Sequence, residues 1–275
     1  MFSRILILFV ISLLSHFIRA DEIAASALPP HVDGKPVEVH IRFYVANLGA
    51  LDQATESYDI AGYLRAMWKD SRHAYKGEAG SEKELDPKTI WTPWLEIVNV
   101  KGTQSTDGAM AFVTPDGTVR WELRMGTTVS SDLNLRRFPF DRQALRLAIE
   151  SSKYSETAVQ LIADDDMSGI NGDSFVSLSE WPLPKQLRAE QGRSYFAPEK
   201  AHYSRVSFLI DVDRESGFYI WKVILPVLLI CMCSWTVFWI DLKEFATQVT
   251  IAVTDLLTIV AFLFVVNDSL PRVSY

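Results

Sequence analysis

Three long apolar runs and a central stretch of short alternating runs divide the chain. Met1 to Ala20 opens with Arg4, runs apolar from Ile5 to Leu14, and ends on a small residue before Asp21-Glu22. This pattern predicts a secretory signal peptide over residues 1–20, although Ile18 is large for a cleavage site. A short membrane anchor is the other reading. Phe218 to Ile240 carries one charge, Lys222, near its start. At about 1.5 Å per residue it is long enough to cross a bilayer core of about 30 Å. Pro226 is tolerated in such a helix when neighbours satisfy the freed carbonyl. Phe245 to Val266 forms the third run and includes Thr247, Gln248, Thr250, Thr254, Asp255 and Thr258. That is too polar for a helix facing lipid on every side, so it either packs in a bundle or lines water.

Between the first and second runs the pattern changes to period two. Val37-Glu38-Val39-His40-Ile41-Arg42-Phe43 and Val206-Ser207-Phe208-Leu209-Ile210-Asp211-Val212 are examples. Ala111-Phe112-Val113 and Val119-Arg120-Trp121-Glu122-Leu123 flank Thr114-Pro115-Asp116-Gly117, a hairpin signal. Leu145 to Ile149 continues the series, and a weak helical stretch lies near Ala24 to Leu28. Many short strands without long helical periods predict an antiparallel, immunoglobulin-like β-sandwich over residues 21–213, followed by α-helical membrane segments over 214–275. Trp68, Trp91 and Trp94 are expected to pack in the core or at its edge. The loop from Asp241 to Glu244 is net acidic, so the positive-inside rule does not orient the spans. The signal peptide does: residues 21–213 are exported and the short loop faces the cytosol.

Composition narrows the function classes. The net charge is −7, 48 % of residues are hydrophobic and 22 % are charged, which excludes a disordered chain. An acidic chain lacks the basic face of a nucleic-acid binder. The two cysteines, Cys231 and Cys233, are two apart in an apolar run and suit neither a disulfide nor a metal site. His16, His31, His40, His73 and His202 have no ligand spacing. Neither a phosphate-binding glycine loop nor a G-x-S-x-G elbow is present, so no enzyme and no cofactor is expected. Asp164-Asp165-Asp166 reads as a hard-cation loop or, more simply, a solvated acidic turn.

Several motifs in order carry a resemblance. They are Trp68-x-Asp70, Trp91-x-Pro93 with Asn99, Phe138-Pro139-Phe140-Asp141-x-Gln143 and Glu180-Trp181. Arg214-x-x-x-Phe218-Tyr219 and Leu270-Pro271-x-Val273-Ser274-Tyr275 complete the set. Together, from about residue 36 to the end, they resemble the pentameric ligand-gated ion channels, the Cys-loop receptor superfamily. A disulfide brackets the Phe-Pro-Phe-Asp loop in animal members. Ser131 and Leu145 stand at those positions here, which is similar to prokaryotic members. Subunits of the family have four membrane helices, whereas this sequence reaches the linker to a third, so a truncated product is expected. Two readings follow: a channel subunit, or a membrane-tethered binding module that does not conduct alone.

The third run, taken as a helix, puts Glu244, Thr247, Thr250, Thr254, Leu257, Ala261, Val265 and Asp268 on one stripe about 36 Å long. In a symmetric ring each becomes a ring of side chains. Hydroxyl rings replace ion hydration, apolar rings gate by dewetting, and acidic rings draw cations. The resemblance supports this stripe and puts Leu257 at the family's hydrophobic gate. Asp255 lies about 100° away and is expected to face a neighbouring subunit. The alternative is that the stripe packs helices.

The resemblance implies an agonist site between adjacent exported domains, with Tyr63 on one face and Tyr154, Tyr195, Phe196 and Tyr203 on the other. Val98 and Ser152 replace two of the usual aromatics. Such a cage suits an organic amine, by cation–π contacts of about 0.5–2 kcal/mol each. The resemblance also implies coupling to the membrane through Asp141 and Phe140 meeting Arg214, with Asp52 and Glu56 alongside. The expected assembly is a homo-pentamer in the cell (inner) membrane, gated by a small molecule and passing cations.

Overall fold

The computed structural model describes residues 28–30, 34–164, 168–170, 181–182, 187–241 and 243–267. The expected signal peptide, the stretch near Ala24, Asp165, Asp166 and Asp268 lie outside the described residues, apart from Leu28 at a bend.

The chain before residue 214 forms two facing sheets. The larger contains β1 (Val37–Asp52), β2 (Ser57–Lys69), β3 (Lys83–Leu85), β5 (Ser105–Val113), β6 (Thr118–Ser130), β8 (Val159–Ala163) and β9 (Gly169–Ile170). Its order is β3-β5-β6-β2-β1-β8, with β9 also on β1. The smaller contains β4 (Leu95–Ile97), β7 (Arg142–Ser151), β10 (Arg188–Phe196) and β11 (Ala201–Asp213), in the order β10-β11-β7-β4.

Period-two alternation decides which side chains face inward. Val37, Val39, Ile41, Phe43 and Val45 of β1 are all buried, as are Leu145, Leu147 and Ile149 of β7 and Val206, Phe208, Ile210 and Val212 of β11. Phe43 and Phe208 meet across the sandwich with ring centroids 5.9 Å apart. The strands are longer than the alternating runs suggest: β1 continues through two register shifts, between Val45 and Asn47 and between Leu48 and Leu51. The pairing is also not wholly antiparallel. Both β8 and β9 run parallel to β1, because the chain crosses from β7 in the small sheet to the edge of the large one.

The Thr114–Gly117 turn joins β5 to β6, with Gly117 at φ +83°. A Cβ there would lie 2.8 Å from the Asp70 carbonyl oxygen, so only glycine fits. Trp68 and Trp91 are buried and meet edge to face at 5.4 Å. Trp94 departs from the expected packing. It takes φ +50° at the start of β4 and is 56 % exposed, since the left-handed backbone turns its indole outward.

No disulfide is needed to hold the Phe-Pro-Phe-Asp loop. At one bracketing position, Ser131 Oγ donates to the Ala144 carbonyl and accepts from Arg146 N–H, tying β6 to β7. Leu145, at the other, is in the core. Gln143 closes the loop further by exchanging two hydrogen bonds with the Asn134 backbone, at 2.8 and 3.0 Å. Asn99 bridges the sheets in the same way: its amide donates to the Ser130 and Arg146 carbonyls and accepts from Ala148 N–H.

After Asp213 the chain becomes helical. α1 (Gly217–Trp239) and α2 (Phe245–Asn267) are each long and apolar enough to cross a membrane. Pro226 cannot donate to the preceding turn, and the helix answers with one wide turn over Ile220–Ile224. α1 and α2 pack together, and Gln248 Nε2 of α2 donates to the Ile240 carbonyl just beyond α1.

Candidate functional site

Three places take up the residues singled out in the sequence: the sandwich–helix junction, the β10–β11 hairpin with its neighbours, and the exposed face of α2.

At the junction the Arg214 side chain is fully buried and pairs with Asp141. Nε donates to Oδ1 at 2.7 Å, Nη2 to Oδ2 at 3.1 Å, and Nη2 also to Gln53 Oε1 at 3.1 Å. The Arg214 N–H donates to the Asp141 carbonyl, so backbone and side chain are both fixed. Aromatic rings complete the chamber: the guanidinium carbon lies 4.2 Å from the Trp181 centroid, 4.8 Å from Phe138 and 5.7 Å from Tyr219. Burial alone would push the Asp141 carboxyl up. The hydrogen bonds from Arg214 and Gln143, with the charge of Arg214, outweigh it and hold the pKa below the usual carboxylate value.

The expected coupling set is partly rearranged. Phe140 does not reach Arg214; it is 62 % exposed, and Phe138 makes the contact instead. Asp141 points inward at the start of β7, so its neighbour Phe140 must point out. Asp52 turns into its own loop, accepting from Ala54 and Thr55 N–H, and its pKa is lowered chiefly by the Thr55 side chain and further by these N–H groups. Glu56 sits at φ +49° and offers its carbonyl to Ser131 N–H. The residue of this loop that touches Arg214 is Gln53. Nothing in its sequence context marks it, because a neutral amide in a surface turn is unremarkable.

The aromatic cluster is also divided. Tyr195 pairs across the hairpin with His202, their rings 5.0 Å apart. Phe196 and Tyr203 contact each other at 6.4 Å on the other face, because directly opposed residues share a face and their neighbours do not. Tyr203 is buried and its hydroxyl donates to Glu199 in the hairpin turn, which raises its pKa. Tyr154 is half-buried, its ring 5.7 Å from Trp91. Ser152 bonds the Trp94 carbonyl through both N–H and Oγ. Between these rings sits Lys153, with Nζ 5.2 Å from the Trp94 centroid and 5.5 Å from that of Tyr154. Tyr63 lies on the outer face of the large sheet, beside an open pocket of about 480 Å³ lined by Arg42, Tyr44, Leu64, Arg65 and Glu122. Arg124 lies over its ring at 5.9 Å.

Glu244, just before α2, and Thr247, Thr250, Thr254, Leu257, Ala261 and Val265 on it are all exposed in the single chain. Gln248, Ile251, Asp255, Phe262 and Val266 are the more enclosed positions, one residue round the helix. The hydroxyls of Thr250, Thr254 and Thr258 donate to the carbonyls of Ala246, Thr250 and Thr254. Each donor is thus spent on the helix itself, and only oxygen lone pairs remain to face outward.

Comparison with known proteins decides the family. Residues 15–216 match the family model of the neurotransmitter-gated ion-channel ligand binding domain, and residues 223–275 match that of the neurotransmitter-gated ion-channel transmembrane region. The chain belongs to the neurotransmitter-gated ion-channel family. It is 31 % identical over 249 residues to a proton-gated ion channel of Gloeobacter violaceus, covering 90 % of this chain and 68 % of that one. With the human gamma-aminobutyric acid receptor subunit rho-2 it shares 28 % identity over 265 residues, 94 % of this chain and 56 % of the other. The mouse rho-1 subunit is 28 % identical over 256 residues, 90 % and 53 % of the two chains. The chain thus spans little more than half the length of these receptor subunits. Family membership makes the protein a membrane protein rather than an enzyme, with a ligand-binding β-sandwich followed by two membrane-spanning helices.

Proposed function

We propose that this family member is a subunit of a ligand-gated ion channel in which five identical copies surround a water-filled pore lined by α2. The observation that carries the reading is the arrangement of α2. Its Thr250 and Thr254 oxygens and its Leu257, Ala261 and Val265 side chains share one helix face that is open in the single chain, next to the more enclosed line of Gln248, Ile251, Asp255, Phe262 and Val266, from which Gln248 reaches the Ile240 carbonyl. Rings of threonine lone pairs replace part of the hydration of a cation, and the Glu244 ring adds negative charge at one mouth. Cations are therefore the permeant ions in this proposal, with Asp268 at the far end of the stripe. Leu257 is the gate, closing by dewetting.

The agonist is a small molecule bound between sandwiches, with Tyr63 from one copy and Tyr154, Tyr195, Phe196 and Tyr203 from the next. Binding moves the hairpin, and Arg214 with Asp141 carries the motion to α1. Residues 1–20 are a signal peptide in this proposal, which leaves the sandwich outside the cytosol and the chain in a cell (inner) membrane.

Cysteines placed singly at Thr250 and Thr254 test the pore. The chain is reconstituted in vesicles and treated with a charged, membrane-impermeant thiol reagent. Modification at both positions, with none at lipid-facing Val253, is expected. Protection of both in the presence and absence of agonist overturns the reading and leaves a tethered binding module. A reversal potential that follows the sodium gradient confirms cation passage, and one that follows chloride refutes it.

A further inference from the structure

Each sheet carries, on its outer face, a charge that the single chain leaves unpaired. Arg146 of β7 lies between Leu145 and Leu147, which are in the core, so its side chain points outward. It stands in a surface trough of about 710 Å³, flanked by the small side chains of Ala144 and Ala148. Arg142 and Arg205, in the same trough, are taken by Asp213 and Glu150. Among the described residues the Arg146 guanidinium has no partner, and Asp132 on the same trough does not reach it. On the opposite side of the sandwich, Asp59 of β2 lies between the core residues Tyr58 and Ile60 and also points outward. Its Oδ1 accepts from the Thr128 hydroxyl at 2.6 Å, and among the described residues no cation pairs with it.

The sandwich itself separates these two groups within one chain, yet they lie at nearly the same height. The Asn99 amide donates to the Ser130 and Arg146 carbonyls, both at 2.7 Å, so Arg146 is level with Ser130. Ser130 pairs with Ser57, two residues from Asp59 along β2. At about 3.4 Å per residue, Asp59 and Arg146 differ by roughly 7 Å along the strands, a gap that a long arginine side chain spans. Rotation about a ring axis normal to the membrane preserves height and sets one face of the sandwich against the opposite face of the next copy. Asp59 shares its outer face of β2 with Tyr63, and Arg146 lies on the strand that leads to Tyr154. The two surfaces that would enclose the ligand therefore also carry these charges. Ala61, paired with Gly126 beside Asp59, leaves that surface as open to close approach as the alanines beside Arg146.

We propose that Arg146 of each copy pairs with Asp59 of the next, and that this ion pair fixes the head-to-tail contact of the ring on the membrane side of the ligand site. The proposal rests on the ring reading above and names the contact that holds the ring together.

Native mass spectrometry of the full chain in detergent tests it. Wild type is expected to assemble. Arg146→Asp and Asp59→Arg should each lower the assembled fraction about tenfold, because like charges then face each other. The double reversal should restore it. Arg146→Gln and Asp59→Asn serve as milder variants: each should weaken assembly, and the two together no more than either alone. Circular-dichroism spectra should match wild type throughout, since both side chains are exposed. Single reversals that assemble as well as wild type, or a double reversal no better than the singles, overturn the ion pair while leaving the ring. A wild type that stays single overturns both. The thiol-reagent test at Thr250 and Thr254 reads the pore separately.

Discussion

Arg214 and Asp141 form a bidentate ion pair with side-chain exposures of 0 and 1 %, at the point where the last strand gives way to the first membrane helix. Neither ion has water to turn to. Each is held by the other, by Gln53 and Gln143, and by the rings of Trp181, Phe138 and Tyr219. The pair joins the Phe-Pro-Phe-Asp loop, the β1–β2 loop and the start of α1 in one contact.

Removing either member strips a fully buried charge of its two-point partner, which costs about 3–5 kcal/mol. Arg214→Ala and Asp141→Asn should each lower the unfolding temperature strongly, and the double variant should lose much less than their sum. Where Arg214→Ala still assembles, current should be abolished while agonist affinity stays near the wild-type value. Equal loss of both points to misfolding rather than to coupling. Arg214→Lys should rescue poorly, since an ammonium cannot make the planar, two-point contact with Asp141.

The same pair gives a pH dependence with a defined sign. The folded Asp141 pKa lies below the unfolded value of about 3.9. Its stabilising contribution is therefore complete above about pH 4 and is lost as the pH falls through the folded value. Asp52 and Asp213 are also lowered and add to the acid sensitivity of wild type. The difference in unfolding temperature between wild type and Asp141→Asn isolates the buried group. That difference should be constant from pH 5 to 7, taken as roughly the plateau above both pKa values, and should shrink on further acidification. A difference that grows below pH 4 would contradict the assigned direction.

Close backbone approach inside the large sheet supplies a stability prediction. Gly62 of β2 pairs with Val45 of β1, next to a register shift, and a Cβ there would lie 2.4 Å from the Tyr44 carbonyl and 2.7 Å from Phe43 Cζ. The carbonyl is fixed in the strand and the Phe43 ring in the core, so neither gives way at low cost. Gly62→Ala should destabilise the sandwich by about 1–3 kcal/mol. Gly192→Ala, where a Cβ meets nothing within 4 Å, is the control and should be close to neutral. Thermal unfolding of the two variants side by side checks both.

These contacts also mark what the sequence makes legible. Strand faces follow from alternation alone, as at Val39, Ile41 and Phe43, because burial of every second residue is a local property. The Arg214–Asp141 pair emerges from motif order, which carries information about residues 73 apart. Parallel pairing of β8 to β1 does not, because alternation fixes a strand's face but not its neighbour. Gln53 at the junction and the outward turn of Trp94 are likewise hidden: one is an ordinary polar loop residue, the other depends on a single backbone angle. Lys153 reads as an isolated surface charge until the fold brings Trp94 beside Tyr154.

Leu257 is 65 % exposed in the single chain, and one turn toward the α2 N-terminus lies Thr254, whose hydroxyl is bonded to the Thr250 carbonyl. In the proposed ring, Leu257 is the first position of the stripe at which water loses every hydrogen-bonding partner. Leu257→Thr restores an acceptor there and removes apolar surface, so the closed pore should stay hydrated. The expected outcome is spontaneous current without agonist, or activation at lower agonist concentration, with the sandwich melting unchanged. Leu256→Thr, one residue round the helix and also exposed, is the comparison. If both variants behave alike, the effect comes from helix stability or lipid contact, and Leu257 is not the gate.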